Sequence, residues 1–476
     1  MKRLAQQIAH SFLDYYLKDC RYEEDFINLL CEMTTFAEDP ALNHPGAHAL
    51  FGIIIESLCD DFEEFQTVTY NRVMAQVVSF CRKIPDGQAL DRGLQKFGIY
   101  TVTDLLDRIT KIRADGNFLS PLTSVKKILL LSRVTIGADV AINSIIVQRL
   151  AQLFPEAAIV MIGSRRIQEV YGGNLRIKIR EVSYSRQGGL LERLSSWHRV
   201  VQIIQQELTD CPLEETILID PDSRLSQLGV LPLIARDRYF FFDSRSDAAS
   251  SRQMSMSELT NAWLDKITGQ EDFCYPQVWI PDSYLNLATR LCEGIRNYGA
   301  RRIVAVNFGV GGNPRKRVGR HLEERLLAAL LQQPQTVILL DKGLGAAERT
   351  NANELIAAIA AQGYAVQHTD FESNAHLDVK WGLVGLQSGI GGIAAVIARS
   401  DEFIGYDSAG QHIAAAIGTP CVTIFAGSNN MRFIRRWSAH GANPCHIVHV
   451  DTLTNPISID VDNIINRVMN VRKLND

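Results

Sequence analysis

The sequence of 476 residues predicts an α/β protein in which an all-α N-terminal domain precedes two Rossmann-like, doubly wound domains that face a cleft. Apolar residues recur at helical spacing over the first 120 residues, which predicts helices there. Afterwards, short apolar runs alternate with helical patterns, and this alternation starts twice, near residues 126 and 302. Two separate starts indicate two parallel sheets. We therefore predict domains at 1–120, 121–280 and 281–476.

Composition narrows the class of protein. With 46% hydrophobic and 21% charged residues, the chain has the make-up of an ordinary globular protein. A net charge of -4 argues against a general nucleic-acid binder, which usually needs an excess of Lys and Arg. The nine cysteines are odd in number and lack paired short spacings, which favours reduced thiols over a disulfide framework or a zinc site.

The N-terminus begins with basic residues, but no secretory apolar core follows. No run in the sequence reaches the roughly 18 to 20 apolar residues needed to span a bilayer. We therefore expect a cytoplasmic protein, with room for a peripheral contact with the inner face of a membrane.

The N-terminal helical block carries no catalytic constellation in its sequence. His44 and His48 are four residues apart, but Pro45 and Gly46 are expected to break the helix that would bring both imidazoles to one face. Two ligands alone also rarely hold a metal. We therefore expect two surface-loop histidines and a domain that serves partner binding or homo-oligomerisation.

The second block opens with a continuous apolar run, which is typical of a strand buried on both faces. A helical pattern and a further strand follow, which together predict a right-handed parallel β-α-β unit. The predicted elements are strands at 126–132, 158–162, 216–220 and 239–242 and a helix at 142–153, whereas 172–206 has no readable pattern. Asp220 and Asp222 have the spacing of a metal clamp, but the intervening Pro221 favours a strand-end turn.

The third block repeats the alternation and ends it with a polar segment. A strand at 402–406 is followed by Asp407, Ser408 and His412 at the start of a small-residue helix. Ligands bind at this edge of a parallel sheet, and free N–H groups at a helix start favour a phosphate. The other predicted elements are helices at 284–298, 321–331, 353–362, 391–398 and 460–471 and strands at 302–308, 336–340 and 364–369.

Residues 126–476 resemble glycosyltransferase family 9, which includes the bacterial lipopolysaccharide heptosyltransferases and has the two-domain GT-B fold. The resemblance rests first on Asp407, Ser408 and His412, which occupy positions of the family's Asp-Ser/Thr-Gly-x-x-His signature. It rests second on residues 133–139, which resemble the family's Arg-x-Ser-x-x-Gly-Asp opening loop. The all-α block lies outside the family pattern.

Two glycines are displaced relative to that pattern. In the signature Ala409 takes the place of the glycine, which comes next as Gly410, and in the opening loop Ala138 takes the place of the glycine, which comes before it as Gly137. Either turn is expected to have a shifted backbone. The final helix at 460–471 resembles the family's closing helix, which packs back toward the N-terminal Rossmann domain.

The resemblance implies an inverting transfer in which Asp139 is the general base that takes the proton of the acceptor hydroxyl. A carboxylate just ahead of an apolar helical pattern is also a favoured N-cap. The two roles are compatible, and both stay open at this point.

The donor half of the site is expected in the C-terminal domain. The N–H groups after Asp407, the Ser408 hydroxyl and a glycine-rich loop are placed to hold phosphates, and Lys316 adds a full positive charge. No metal and no cofactor is then required. The predicted donor-binding residues are Gly311, Gly312, Lys316, Glu348, Asp407, Ser408, Ala409, Gly410 and His412.

Several of these residues have structural alternatives. Asp407 either accepts hydrogen bonds from donor-sugar hydroxyls or caps the next helix, and His412 either contacts the donor or is a structural histidine. Glu348 resembles the family's ribose-binding acid, but Glu354 is an alternative for that role. Either glutamate could instead be a solvated acid in the first turn of the helix. Three arginines either contact a phosphate or lie solvated at the start of the next helix: Arg315, Arg317 and Arg320.

The sequence thus predicts a glycosyltransferase that moves a heptose or hexose from a nucleotide-diphosphate sugar to a glycan, lipid-linked or protein acceptor. One alternative is a non-catalytic protein that binds a nucleotide-sugar or a partner mainly through its helical block, which the displaced glycines favour. Another is a GT-B-fold nucleotide-sugar epimerase, which needs no acceptor.

Overall fold

The computed structural model describes residues 1–37, 39–59, 61–114, 117–119, 124–185, 188–246, 253–373, 377–455 and 459–473. Over these residues the predicted class is confirmed, because a helical N-terminal block precedes two parallel sheets flanked by helices. The domain boundaries stay a prediction. None of the described helices combines the length and the apolarity needed to cross a bilayer.

The helical block shares its core with one face of the first sheet. Phe12, Leu30 and Leu50 are fully buried in the same cluster as Leu129 and Leu131, which point to that face of the sheet. The block is therefore packed onto the α/β part rather than tethered to it. Its helices are α1 (Lys2–Asp19), α2 (Glu24–Met33), α3 (Pro40–Ala47), which continues into a π-helical segment (His48–Ile55), α4 (Glu64–Lys83), α5 (Gln88–Gln95) and α6 (Val102–Ala114).

The expected helix break between His44 and His48 does not occur. Helix α3 runs through Pro45 and Gly46, and the two imidazole centroids lie 6.3 Å apart. A Cβ on Gly46 would lie 2.9 Å from the backbone of Met33, so close packing against α2 supports the helix there. The prediction of separate loop histidines is wrong. In the described part of the chain, no group of three or more His, Cys, Asp or Glu residues is arranged to hold a metal.

All strands of the first sheet run parallel, in the order β3-β2-β1-β4-β5. Strands β1 and β4 are buried along their whole length, as their continuous apolar runs predict. The strand order reverses between them. The elements are β1 (Lys127–Leu131), α7 (Ile136–Ala138), α8 (Ser144–Leu153), β2 (Ala158–Gly163), α9 (Gln168–Tyr171), β3 (Ile177–Glu181), α10 (Leu190–Asp210), β4 (Thr216–Asp220), β5 (Tyr239–Phe241) and α11 (Met256–Thr268).

The second sheet is also parallel, in the order β12-β11-β10-β6-β7-β9-β8, and its order reverses between β10 and β6. Strand β9 is an element that the sequence pattern did not predict. The elements are α12 (Asp282–Tyr298), β6 (Arg302–Asn307), α13 (Arg320–Leu331), β7 (Thr336–Asp341), α14 (Ala346–Ala361), β8 (Ala365–Asp370), β9 (Gly382–Gln387), α15 (Ile390–Ile397), β10 (Glu402–Tyr406), α16 (Ala409–Ile417), β11 (Cys421–Phe425), α17 (Met431–Arg436), β12 (Cys445–His449) and α18 (Val461–Arg472).

The closing helix α18 packs on its own domain. It lies against α13, β11 and β12, and Ile464 and Val468 are buried in the core of the second sheet. At its end, the Arg472 guanidinium donates to the Glu402 carboxylate at 2.8 Å, and both residues are buried. The expectation that this helix packs toward the N-terminal Rossmann domain is wrong, because its apolar face matches the outer face of the second sheet.

Replacing Arg472 by Ala should destabilise the protein, because it leaves the buried Glu402 carboxylate without its main partner. Arg302 stays 3.2 Å from this carboxylate, so we expect a loss near the lower end of about 3 to 5 kcal/mol. The matched control is Arg325→Ala, because Arg325 of α13 pairs with the exposed Asp462 of α18 on the surface, where removal should cost within about 0.5 kcal/mol. Equal midpoints of the two variants in denaturant unfolding would contradict the assigned packing of α18.

Candidate functional site

The carboxyl ends of the two sheets meet, because α7 after β1 contacts α16 after β10 and α9 contacts α15. Each sheet reverses its strand order at this junction, which we call the cleft. The loops after β1 and β4 flank this point in the first sheet, and the loops after β6 and β10 flank it in the second. Ligands of open parallel sheets bind at such points. Asp139 follows β1, Lys316 follows β6, and residues 407–412 follow β10, so the predicted residues converge on the cleft.

Lys316 and Asp407 form an ion pair between the loops after β6 and β10. The Lys316 ammonium lies 2.6 Å from Asp407 Oδ2, and the Gln411 amide donates to Asp407 Oδ1 at 2.7 Å. Asp407 is buried, whereas a quarter of the lysine side chain is exposed. The carboxylate is thus engaged by two side-chain donors, and the structure does not use it as the cap of α16.

Helix α16 begins at Ala409 with Ser408 as its N-cap residue, but no side-chain hydrogen bond caps it. Among the described residues the Ser408 hydroxyl has no hydrogen-bond partner. The second residue of α16 is a glycine for a steric reason, because a Cβ on Gly410 would lie 2.4 Å from the Phe403 ring. The displaced glycine of the signature therefore lets the helix start lie directly over β10.

The second displaced glycine contacts the first turn of the same helix. A Cβ on Gly137 would lie 3.0 Å from His412 Cδ2 and 3.2 Å from the Cα of Ala409. The two departures from the family pattern thus meet at one contact across the cleft. They allow the turn after β1 to pack directly on the start of α16.

Asp139 lies at the start of a π-helical segment (Asp139–Asn143) and is 1% exposed. Its carboxylate accepts hydrogen bonds from the Ser132 hydroxyl and the Arg133 N–H, both at 2.7 Å, and from the Asn143 amide at 2.9 Å. Burial raises its pKa to about 7, against the lowering effect of the Ser132 and Arg133 hydrogen bonds. The N-cap residue is Thr135, so Asp139 is not the cap. Its role as base stays a prediction and needs the cleft to open.

The loop after β1 is also strained. Val134 has a φ of 73°, a left-handed value that is unusual for a β-branched residue. Its N–H donates to the Ser132 hydroxyl at 2.9 Å, which helps to hold the turn. Such strain persists only where surrounding contacts fix it, and it often marks a functional loop.

His412 is buried against Trp437, with the rings in an edge-to-face arrangement at 6.2 Å between centroids. Burial lowers its pKa to about 4, with the Asp407 charge opposing this shift and the Lys316 charge reinforcing it. The imidazole is therefore neutral at physiological pH and adds no positive charge for a phosphate.

The glycine-rich loop after β6 lies exposed beside Glu348. Gly311 and Gly312 have φ values of 61° and 85°, which other residues rarely adopt. Glu348 accepts hydrogen bonds at Oε2 from the N–H groups of Leu344 and Gly345, at 3.2 and 3.3 Å, so it also closes the start of α14. Its Oε1 lies 3.2 Å from where a Cβ on Gly309 would stand, which places it beside the loop.

The competing side chains of this region are engaged elsewhere. Glu354 pairs with Arg320 at 2.8 Å, and Arg320 also pairs with Glu324. Arg317 pairs with Glu323 in the first turn of α13. For these two arginines the structure matches the helix-entry alternative.

Asp220 and Asp222 form the predicted strand-end turn. Asp220 accepts hydrogen bonds from the Ser223 N–H at 2.7 Å and from the Tyr239 hydroxyl at 2.6 Å. Asp222 has a φ of 62° and pairs with Arg245 at 3.1 Å. Both carboxylates are buried and bonded to protein donors.

Sequence reasoning missed several residues at the cleft. Asn307 donates to Asp341 at 2.5 Å across the ends of β6 and β7, and burial raises the pKa of Asp341 to about 6. The sequence signal that could have identified them is their position as the last residues of two apolar runs, at the edge of the sheet where ligands bind. Trp437, which contacts His412 and accepts a hydrogen bond from the Gln411 amide, had no signal of its own.

Contacts close the cleft along its length. The Glu169 carboxylate of the N-terminal Rossmann-like domain accepts a hydrogen bond from the Gly391 N–H at the start of α15, at 2.9 Å. At the other end, the buried Arg436 of α17 donates to the carbonyl oxygens of Ser244 and Ser246 at 2.6 and 2.7 Å. The structure is therefore a closed arrangement of the two sheets.

Comparison with known proteins supports the family resemblance. The segment 377–448 matches the model of glycosyltransferase family 9 (heptosyltransferase). This segment includes the signature residues Asp407, Ser408 and His412. The resemblance to this family is thus confirmed over that segment. A search of curated proteins gives no match.

Among solved structures, the glycosyl transferase family 9 protein of Veillonella parvula is 14% identical, with a TM-score of 0.51, and the match covers 74% of this chain and 97% of that one. This likeness shows that the fold is the GT-B type. Escherichia coli ADP-heptose lps heptosyltransferase II is 15% identical over 72% of this chain and 98% of that one, with a TM-score of 0.45.

The raised pKa of Asp139 predicts a pH effect on stability. Because the folded state keeps this proton up to about pH 7, while an unfolded Asp releases it near 3.9, stability should fall as pH rises between these values. The slope should be at most about 1.4 kcal/mol per pH unit, and Asp139→Asn should remove it. Unfolding by denaturant from pH 4 to 8 tests this, with the exposed Asp14→Asn as matched control. A wild-type-minus-variant difference that is flat over this range would contradict the burial of the carboxyl.

Proposed function

We propose that the protein is an inverting glycosyltransferase that moves a sugar, a heptose or hexose, from a nucleotide-diphosphate sugar to a glycan, lipid-linked or protein acceptor. The observation that carries this proposal is the Lys316–Asp407 ion pair at the strand-order reversal of the second sheet, inside a GT-B fold. Asp407 lies in the segment that matches glycosyltransferase family 9, whose solved relatives include an ADP-heptose enzyme.

The chemistry of the donor side follows from charge. Breaking the sugar–phosphate bond leaves negative charge on the diphosphate, and positive groups fixed around it lower the barrier. Lys316 lies at the start of α16, where the Ser408 hydroxyl has no hydrogen-bond partner among the described residues. We add to this donor site the turn at Gly311 and Gly312, which belongs to the same loop as Lys316. A diphosphate bound there would replace the Asp407 carboxylate as the partner of the Lys316 ammonium. No metal takes part in this proposal.

On the acceptor side, we assign the base to Asp139. Asp139 follows β1 at the carboxyl edge of the first sheet, and its carboxylate is a group that can take a proton from an attacking hydroxyl once the cleft opens. Its three hydrogen bonds and its burial require that the turn after β1 separates from α16 before an acceptor reaches it.

The closed cleft favours one second candidate, a non-catalytic protein in which the same surfaces only bind a nucleotide-sugar or a partner. The observation behind it is the direct contact of Gly137 with Ala409 and His412, which fills the place between base and donor loop. Such a protein would bind a nucleotide without turning over a sugar.

Lys316→Ala should weaken binding of the nucleoside diphosphate that the protein selects from ADP, GDP and UDP by roughly tenfold or more, because it removes a full charge from the phosphate site. Lys316→Arg should keep most of the affinity. Isothermal titration calorimetry measures this, with the exposed Lys380→Ala of the same domain as control. Equal affinities of wild type and Lys316→Ala, or no binding of any of the three, would contradict the assigned donor site.

Turnover then separates the candidate functions. We expect the protein to consume the matching nucleotide-sugar in the presence of acceptor extracts, and Asp139→Asn to lower the rate by about 10² to 10⁴. Consumption without any acceptor would indicate an epimerase or hydrolase, and binding without consumption would indicate the non-catalytic protein. Full turnover by a folded Asp139→Asn variant would rule out Asp139 as base.

A further inference from the structure

A short segment of the helical block reaches across to the C-terminal domain. Residues Asp61, Phe62 and Glu63, directly ahead of α4, contact helix α17 and its N-cap Asn430 in the C-terminal domain; we call these three residues the latch. Phe62 is buried, and it packs in the core cluster that joins the two α/β domains rather than in the core of the helical block. The helical block therefore has a direct contact with the donor domain.

The latch uses three kinds of contact. The Phe62 ring packs against Phe433 at 6.4 Å between centroids, and the Arg436 guanidinium lies 4.8 Å from the centre of the Phe62 ring. Arg432 donates to the Phe62 carbonyl oxygen at 2.6 Å and pairs with Glu63 at 3.2 Å. Apolar packing, a cation–π contact and a charge-assisted hydrogen bond thus converge on one residue.

The backbone of the latch is held in a strained form. Phe62 has a φ of 56°, a left-handed value that is uncommon for a bulky residue. The Asp61 carboxylate accepts hydrogen bonds from Asn430 of the C-terminal domain at 3.1 Å and from Gln66 of α4 at 3.0 Å, so it is tied on both sides. Strain of this kind persists because the surrounding contacts fix it.

Helix α17 connects the latch to the closed cleft. Phe433, which receives Phe62, also lies 5.7 Å below the Lys316 ammonium. Trp437, at the end of α17, contacts His412, and its carbonyl oxygen accepts a hydrogen bond from the Gln411 amide at 3.1 Å. A residue that fixes α17 therefore also fixes α16 against the turn after β1.

We propose that the latch holds the cleft shut and that its release frees α16 and Lys316 for ligand. The helical block then acts as an internal gate of the α/β cleft, a role different from partner binding or oligomerisation. A ligand that needs the open cleft binds more weakly when most molecules are closed, because its apparent dissociation constant is the intrinsic one divided by the fraction of open molecules. This last step rests on the proposed donor site, whereas the mechanical coupling does not.

The test compares Phe62→Ala with Phe36→Ala, the same substitution at an exposed phenylalanine of the same block. Hydrogen–deuterium exchange in native buffer reads out the coupling. We expect exchange of the α16 and α17 amides to rise roughly tenfold or more in Phe62→Ala, because a buried aromatic contact of the closed form is lost. Phe36→Ala should leave these amides unchanged. Unchanged exchange in a folded Phe62→Ala protein overturns the latch.

A second measurement tests the latch proposal and the donor-site proposal separately. Calorimetric titration with ADP, GDP and UDP should show tighter binding by Phe62→Ala than by wild type for the nucleotide that binds. Faster α16 exchange without binding of any nucleotide supports the latch and contradicts the donor site. Weaker nucleotide binding by Phe62→Ala overturns the gating role.

Glu63→Gln and Arg432→Gln provide the same readout if Phe62→Ala does not fold, because both remove the ion pair without emptying the core. A smaller rise in α16 exchange than expected for Phe62→Ala, but above that of Phe36→Ala, supports the latch. Exchange equal to that of Phe36→Ala in both variants overturns it.

Discussion

The arrangement of the cleft depends on one close contact, the packing of the first turn of α16 against the turn after β1. Gly137 has no side chain at the point where a Cβ would press on His412 and Ala409. Gly410 has none where a Cβ would enter the Phe403 ring. Because neither glycine has a side chain at its contact, the turn after β1 and the start of α16 pack directly on each other. The turn that precedes Asp139 is therefore in direct contact with the start of α16.

Burial on the two sides of this contact explains the electrostatics of the site. Asp139 and His412 are both buried, and low-dielectric surroundings disfavour the charged form of each. The pKa of the carboxyl therefore rises and that of the imidazole falls, so that both groups lean toward neutrality in the closed form. Lys316 and Asp407, in contrast, lie 2.6 Å apart as an ion pair. Opening the cleft would return water, and with it charge, to the buried groups.

The sequence predicted the parts of the fold that local patterns determine. Continuous apolar runs marked β1, β4 and β10, and polar residues directly after such runs marked the site loops. Strand β9 escaped because Gly382 and Gly385 interrupt its apolar run, and β3 because charged residues alternate along an edge strand. Local rules also gave a wrong break at Pro45, where packing on α2 carries the helix through.

Long-range contacts were beyond local patterns. Nothing near Phe62 in the sequence indicates that it packs with Phe433, which lies in another domain. Helix α16, more than two hundred residues away along the chain, likewise packs on the π-helical segment that begins at Asp139, so the sequence identified the carboxylate but not its buried environment. Likewise, a helix such as α18 shows its apolar face in sequence but not the sheet that it covers.

The central claim is that the edge of the second sheet, from the glycine-rich loop to the start of α16, binds a nucleoside diphosphate. The most direct measurement is hydrogen–deuterium exchange of the wild-type protein with and without saturating ADP, GDP or UDP. We expect one of these to slow exchange at 309–316 and 408–411 together, while the outer helix α18 is unaffected. Protection that falls elsewhere, or that is absent with all three nucleotides, would contradict it.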